Sequence, residues 1–431
     1  MTSEPHSPDG RINKLSEFLR AGLGHVLRGS RRYYAWMGGL SGMLLLGLYT
    51  FYLQKKHGLI ITSARHLNPW GTLTYAQFPF FVGVAAGAVM IVIPAHLYHR
   101  DDFEEIAIFG EALAASAVIV SIASVLTMLG SLLRLVYIFP IVGTPNFPWS
   151  MLTWDVIVLN GYLALNIFIP GYVLYKIYHG EETHRWLRYV IYLSIPWAIS
   201  IHTVTAFIIV ANQTRHLWYT ALMVPRFLTS AFVVGPALMI LILMAMRRLG
   251  PDDAGFTGID IEDRTFHTMA QMILIALFAN LFSIMSEIFT LGYAQTVHWS
   301  TMKYLLFGLE HHGEVYNMLT PLMWLSIGLE LGAALLLLHP KTRYDFRTLA
   351  IGAGAAIGGV FIEKGLILFL SVFIISPLGQ VYEPNFTVPE VVMAISLWAL
   401  GALVFTVLIK AAIGIRRDRA TSGEPTQNPE S

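Results

Sequence analysis

Tyr75-Ala76-Gln77-Phe78-Pro79-Phe80-Phe81-Val82-Gly83-Val84-Ala85-Ala86-Gly87-Ala88-Val89-Met90-Ile91-Val92-Ile93-Pro94-Ala95-His96-Leu97 runs for 23 residues without Asp, Glu, Lys or Arg. A hydrocarbon core about 30 Å thick needs roughly 20 apolar residues of helix to cross it. Nine further stretches meet the same requirement: Tyr33–Leu53, Ile108–Phe139, Leu152–Tyr178, Trp186–Ala211, Phe227–Met246, Met269–Tyr293, Met318–Leu338, Leu349–Ile375 and Val391–Ile413. A β-barrel would need strands of about ten residues with alternating polarity. These runs are longer and continuously apolar, and lipid offers backbone groups no other partner than their own helix. The expected fold is an all-α integral membrane protein of ten transmembrane helices, arranged as two four-helix bundles plus peripheral helices.

Composition agrees, with 55% hydrophobic and only 13% charged residues. There is no cysteine, which removes disulfides, thiolate-held iron–sulfur clusters and covalently attached c-type haem from this chain. The basic residues are segregated rather than scarce. Twenty Lys and Arg fall on the side of the N-terminal tail, six fall on the other, and Arg134 and Lys364 lie inside spans. The positive-inside rule then places both termini in the cytoplasm. The polar first thirty residues are expected to remain as a tail rather than a cleaved leader. Three regions follow: a basic tail over 1–32, a membrane domain over 33–413 and a polar tail over 414–431. Ile12–Leu27 has apolar residues at helical spacing and suits an amphipathic surface helix.

The loops on the outer side are aromatic and rigid. Pro140–Met151 and Ser376–Pro389 contain no Lys or Arg, and Asn68-Pro69-Trp70-Gly71 and Arg215-His216-Leu217-Trp218-Tyr219 carry indoles. Such loops suit an interfacial belt and equally suit docking of another protein.

Ionisable groups at membrane depth are costly and usually have a partner or a task. One set comes from spans two to five: Tyr75, Gln77, Arg134, Tyr137, Asp155 and His202, with Asn160 and Asn166 deeper. It reads either as a structural Arg134–Asp155 pair or as a pocket for a polar headgroup. In that pocket His202, Tyr and Gln would donate to carbonyl oxygens and Asp155 would exchange protons. A second set, Glu287, Glu330, Glu363 and Lys364, reads either as a proton path or as a neutralised ion pair. Adjacent positions on a helix point apart, so Glu363 and Lys364 are expected to face different neighbours, one of them Glu330. Glu111 and His96 read as polar residues near the cytoplasmic surface without a role. Glu310-His311-His312-Gly313-Glu314 has metal-binding residue types but reads as exposed loop. His202 is the one histidine well inside a span, so haem held across the bundle is not expected. Gly83 to Gly87 and Gly352 to Gly359 read as close helix contacts. Phe80-Phe81-Val82-Gly83-Val84-Ala85 faintly echoes Phe232-Val233-Val234-Gly235-Pro236-Ala237, which suggests a duplication of spans two to five as six to nine.

Several segments resemble the NrfD/PsrC-type membrane subunits. Pro69-Trp70-Gly71 with Phe80 to Ala88 is similar to their second span, and Trp154-Asp155-Val156-Ile157-Val158-Leu159-Asn160-Gly161-Tyr162 to their fourth. The longest match is Ser194-Ile195-Pro196-Trp197-Ala198-Ile199-Ser200-Ile201-His202-Thr203-Val204-Thr205-Ala206-Phe207, continued by Pro225-Arg226-Phe227 and Ser230-Ala231-Phe232. The ten-span DsrP-like and HybB-like branch of sulfur- and hydrogen-linked complexes is the nearest in pattern. The resemblance implies a bound quinone, menaquinone or ubiquinone, near the outer face, and no metal, haem or iron–sulfur cluster in this chain. It implies a ferredoxin-like iron–sulfur partner that connects to a catalytic or multihaem cytochrome subunit, in a bacterial or archaeal cytoplasmic membrane. No nucleic acid is expected. One departure stands out: where relatives read D-x-G-x-P-x-R, this chain has Met128-Leu129-Gly130-Ser131-Leu132-Leu133-Arg134. The acid and the proline are lost, which gives Asp155 and His202 more weight. The competing class is a secondary transporter using the intramembrane carboxylates, for which broken helices and an inverted repeat would be the signs.

The charge bias carries a direct test. A reporter fused after Ser431 should read cytoplasmic and one inserted near Asn146 should read external. A C-terminus reached from outside would reverse the side assigned to every polar residue above.

Overall fold

The computed structural model describes residues 8–66, 68–254, 261–375 and 379–421. The extreme tails and part of the loop after span nine, about which the sequence raised expectations, lie outside the described residues. Ten helices are long and apolar enough to cross a membrane: Arg31–His57, Leu73–His96, Asp101–Met128, Met151–His179, Leu187–Val210, Met223–Arg248, Asp263–Ala294, Thr320–Leu338, Phe346–Leu370 and Val388–Arg419. They are called spans one to ten. Among the described residues the protein is all-α apart from one short hairpin, Leu309–His311 paired with Glu314–Tyr316.

Span three differs from its sequence reading. The helix starts at Asp101 and ends at Met128, so the apolar run to Phe139 is not one helix. Its 28 residues already cover ~42 Å at 1.5 Å per residue. Asp101, Asp102 and Glu104 occupy the first turn, where acids favour a helix start. At the other end the chain turns extended at Leu129. There Lys55 donates to the Leu129 carbonyl and Gln54 donates to the Thr127 carbonyl at 2.5 Å, which satisfies the last turn. Arg134 and Tyr137 follow on an exposed 3-10 segment, Leu132–Ile138.

Spans two and three are almost wholly enclosed by protein, whereas span one is almost wholly exposed on the rim. Spans two to five pack among themselves, spans six to nine do likewise, and span two meets span six between them. That junction depends on two glycines. A Cβ on Gly87 would collide with the Ala231 carbonyl and sit 2.8 Å from Gly235 Cα, and one on Gly235 would meet the Gly87 backbone. Only hydrogen fits where two backbones come this close, which is how helices associate without a hydrophobic driving force. Gly359 does the same between spans nine and eight. A Cβ there would lie 2.6 Å from Glu330 Cγ, and Ser326 donates to the Gly359 carbonyl at 2.8 Å.

A surface helix, Pro8–Val26, precedes span one. Phe18 packs edge-on against Tyr175 and Tyr178, while Ile12, Leu15, Leu19 and Leu23 form an exposed apolar stripe. A helix with that stripe is of the kind that suits a membrane surface.

Gly87→Ala should therefore lower the yield and thermal midpoint of the purified protein sharply, because its neighbours are backbone and cannot give way. Gly38→Ala is the control, since nothing lies within 4 Å of a Cβ there, and it should stay within ~1 kcal/mol of the parent. Equal behaviour of the two variants would remove the glycine contact as the determinant of the junction.

Candidate functional site

The first polar set only partly assembles. Asp155 is buried near the start of span four, and its Oδ1 accepts a hydrogen bond from Thr205 Oγ1 at 3.2 Å. Thr205 lies three residues beyond His202, so both point to one face of span five. His202 is 2% exposed and packs on the Phe227 ring with centroids 4.8 Å apart. Gly83 makes room for it, since a Cβ there would lie 3.4 Å from both Cε1 and Nε2. Neither ring nitrogen has a well-formed hydrogen bond, although the Phe227 backbone approaches the ring. A buried imidazole so poorly partnered is costly, and this one faces the middle of the bundle.

Tyr75, in the first turn of span two, is buried and is an electrostatic neighbour of Asp155. It stacks with Phe78 at 5.7 Å and meets Phe369 edge-on at 5.3 Å. Above them, the loop between spans five and six tucks Trp218 fully inside. Its indole N–H donates to the Leu368 carbonyl at 2.7 Å, and its ring packs against Trp70 and Phe369. These aromatics roof the polar residues rather than simply lining the interface. The loop is held by His298, whose Nδ1 lies 3.2 Å from the His216 carbonyl oxygen. Burial, aided by His298 and Arg215, holds the His216 imidazole below its ordinary range.

The other members go elsewhere. Gln77 turns to span ten, where its Oε1 accepts from Trp398 Nε1 at 2.8 Å and its Nε2 donates to the Leu73 carbonyl at 3.3 Å. Arg134 and Tyr137 are exposed on the 3-10 segment while Asp155 is buried, so the structure does not bring them together.

The second set does assemble, around a residue that the charge count had placed in a loop. Arg226 is buried in the first turn of span six. Its Nε and Nη2 donate to Glu363 Oε1 at 2.9 and 2.6 Å, and its Nη1 donates to Glu287 Oε2. Asn280 Nδ2 donates to Glu330 Oε2 at 2.8 Å and to Glu363 Oε2 at 3.2 Å. Lys364 Nζ lies 3.1 Å from Glu363 Oε1. This corrects the expectation that adjacent positions must diverge. Glu363–Ile367 forms a π-turn, which adds a residue to the turn and rotates the following side chains, and the long Lys364 stem bends back. Such turns concentrate at functional positions. Four helices thus share one network of three carboxylates, a guanidinium, an ammonium and an amide. Two cations meet three acids in this buried cluster, and Glu330 is the carboxylate held only by the Asn280 amide.

The two sets adjoin. Lys364 Nζ sits 5.1 Å from the centroid of Phe227, the ring that also packs on His202. Counted along their helices, Tyr75 is two residues from Leu73, Arg226 three from Met223 and Asp155 four from Met151. Glu287 is seven from Ala294, Glu363 seven from Leu370, His202 eight from Val210 and Glu330 ten from Thr320. At 1.5 Å per residue these are depths of roughly 3–15 Å below the same end of the bundle. The acids of spans eight and nine are therefore not remote from the headgroup set, as their chain positions had suggested.

Sequence reasoning also missed Glu390. It is buried at the start of span ten and accepts from Ser63 N at 2.9 Å, Ser63 Oγ at 2.8 Å and Leu73 N. It thereby ties the loop after span one to the first turn that carries Tyr75. Arg226 had a legible signal, an arginine three residues into an apolar helix. Glu390 had none beyond its place before such a run. Glu111, read as peripheral, is also buried and is an electrostatic partner of Arg416.

Fold and site define a class: a multi-pass helical membrane protein with a cluster of buried polar residues, roofed by aromatic rings, beside a buried ion network. The family model described as polysulphide reductase, NrfD, matches residues 61–376, and the chain belongs to that family. The chain is 24% identical over 364 residues to the Hdr-like menaquinol oxidoreductase integral membrane subunit of Archaeoglobus fulgidus, covering 83% of this chain and 82% of that one. It is 26% identical over 223 residues to a Halobacterium salinarum protein named as a dimethyl sulfoxide reductase membrane subunit, over 48% of this chain and 50% of that one. A selenate reductase subunit of Mesobacillus selenatarsenatis is 21% identical over 234 residues, 47% and 54% of the two chains. The chain thus spans about half the length of these last two curated relatives. The solved bd oxidase from Geobacillus thermodenitrificans overlays 91% of this chain and 99% of its own at 11% identity and a TM-score of 0.42, too distant to bear on the site.

The network makes unequal carboxylates. Glu363→Gln takes away the carboxylate that meets both Arg226 and Lys364, leaving Arg226 with Glu287 and taking from Lys364 its ion-pair partner, and should cost ~3–5 kcal/mol, read as a large loss of assembled protein. Glu330→Gln removes the acid in excess and leaves Asn280 an acceptor, so it should assemble normally. Equal yields of the two variants in membranes would contradict the assigned charge balance.

Proposed function

We propose that this chain is the quinone- or quinol-binding membrane subunit of a multisubunit respiratory oxidoreductase. One observation carries the reading: His202, deep in the bundle with neither nitrogen in a well-formed hydrogen bond, lies one helical turn from Thr205, which bonds the buried Asp155. A quinone head needs a donor for a carbonyl oxygen, a group that can hold a proton, and flat apolar walls. His202, Asp155 and the rings of Phe227, Tyr75 and Phe369 are residues of those kinds. The name of the Archaeoglobus relative, a menaquinol oxidoreductase subunit, points the same way.

When bound, the quinone supplies two-electron, two-proton redox chemistry. The chain's part is to bind and to manage protons. His202 donates to a carbonyl oxygen. Asp155 takes up or releases a proton, with Thr205 Oγ1 fixing its orientation. Tyr75 and Trp218 exclude water from above. Lys364, across Phe227, biases the pocket towards negative charge. Electron exchange is assigned to a ferredoxin-like iron–sulfur subunit seated on the aromatic outer loops, and through it to a catalytic or multihaem subunit. We assign the Arg226 network chiefly to holding spans six to nine together, with Glu330 as the one member free to carry a proton inward. Both termini are placed in the cytoplasm of a bacterial or archaeal cell.

The transporter reading has less support. Span two is interrupted at Gln77 and Ala88, but both keep right-handed helical backbone angles, and Ala88 N still donates to the Val84 carbonyl at 3.3 Å. It is kinked rather than unwound, unlike the broken helices that hold ions in transporters.

Asp155→Asn keeps size and hydrogen bonding but cannot accept a proton, and His202→Ala removes the donor. Each should lower quinol-linked electron transfer by at least about tenfold, equivalent to about 1.4 kcal/mol, with normal assembly. Unchanged turnover in both, at parental protein levels, would move the headgroup elsewhere.

A further inference from the structure

A large cavity lies away from the polar pocket. It has a volume of about 600 Å³ and runs between span one on its outer wall and spans two, three, six and ten. Its inner end is closed by Phe81 and Trp398, whose rings are 4.9 Å apart. Arg32, in the first turn of span one, and Met246, in the last turn of span six, line its other end. This is the end opposite to the His202 pocket.

The walls are apolar in effect. Ser116 Oγ, one of the two lining hydroxyls of Ser or Thr, donates to the Ala112 carbonyl at 2.6 Å. Thr406 Oγ1 donates to the Ala402 carbonyl at 2.6 Å and accepts from Trp36 Nε1 at 3.2 Å. Both hydroxyls are thus already engaged, and neither waits for a quinone head or a sugar. That end is cationic: Arg32 lines it, and Lys410 Nζ lies 4.8 Å from the centroid of the lining Tyr33 ring. Beside it the surface helix carries its exposed leucines. An apolar slot ending under paired cations at the headgroup level matches one kind of molecule. We propose that it holds an acyl chain of an anionic phospholipid whose phosphate sits at Arg32 and Lys410. Span one leans chiefly on span ten, so the lipid serves as the packing partner that joins it to the central bundle. The inference does not depend on the quinone reading.

The test is lipid retention. The full complex is purified in mild detergent, washed and extracted, and phosphatidylglycerol, phosphatidylcholine and quinone are quantified per chain after equal loading with both lipids. Phosphatidylglycerol should be retained preferentially. It should fall at least about fivefold in Arg32→Gln, the effect of one cation near a headgroup. It should fall as far in Ala117→Phe, which fills the slot. Arg32 is exposed, so its substitution leaves the fold intact if the larger side chain does not. Equal retention of the two lipids by the parent, or undiminished phosphatidylglycerol in Arg32→Gln, would overturn the assignment. So would quinone rather than phospholipid leaving with Ala117→Phe.

Discussion

The buried Arg226 is the constraint on which the second half of this molecule depends. Its guanidinium spans from Glu363 to Glu287 and is linked through those acids and Asn280 to Glu330. Every one of these groups is removed from water, so the charges depend on one another for their stabilisation. The network fixes the rotation of spans six to nine about their axes, and Gly359 lets spans eight and nine close around it. Because Lys364 reaches back through the π-turn to the ring that supports His202, the same network also sets one wall of the polar pocket.

The pocket in turn is built by helices that have little freedom. Span two is fixed against span six at Gly87 and Gly235, and its first turn is tied to span ten by Glu390. That places Tyr75 above Asp155 and Gly83 against His202. The roof of Trp70, Trp218 and Phe369 closes the outer end. The preorganised part is thus rigid on the protein side. Within it stands an imidazole with neither ring nitrogen in a well-formed hydrogen bond.

The ten spans were legible because continuous apolar runs leave a helix no alternative in lipid. The end of span three was not, because Leu132 to Ile138 keeps the apolar pattern after the helix has already crossed. Asp155, His202 and Tyr75 were legible as polar residues within or at the start of apolar spans. Gln77 and Arg134 carried the same signal and went elsewhere, since the sequence does not state which way a side chain turns about its helix. Arg226 was hidden by the rule that counts basic residues near span ends as loop charge. Glu363 and Lys364 were misread because regular helix geometry was assumed where the backbone forms a π-turn.

The central claim is that a quinone head rests between His202 and Asp155. It is tested most directly by an experimental density map of the assembled complex with a bound quinone analogue. The account predicts headgroup density within hydrogen-bonding distance of His202, beneath Trp218 and beside Phe227. Density confined to the exposed Arg134–Tyr137 segment, or to the apolar slot behind span one, with His202 untouched, would contradict it.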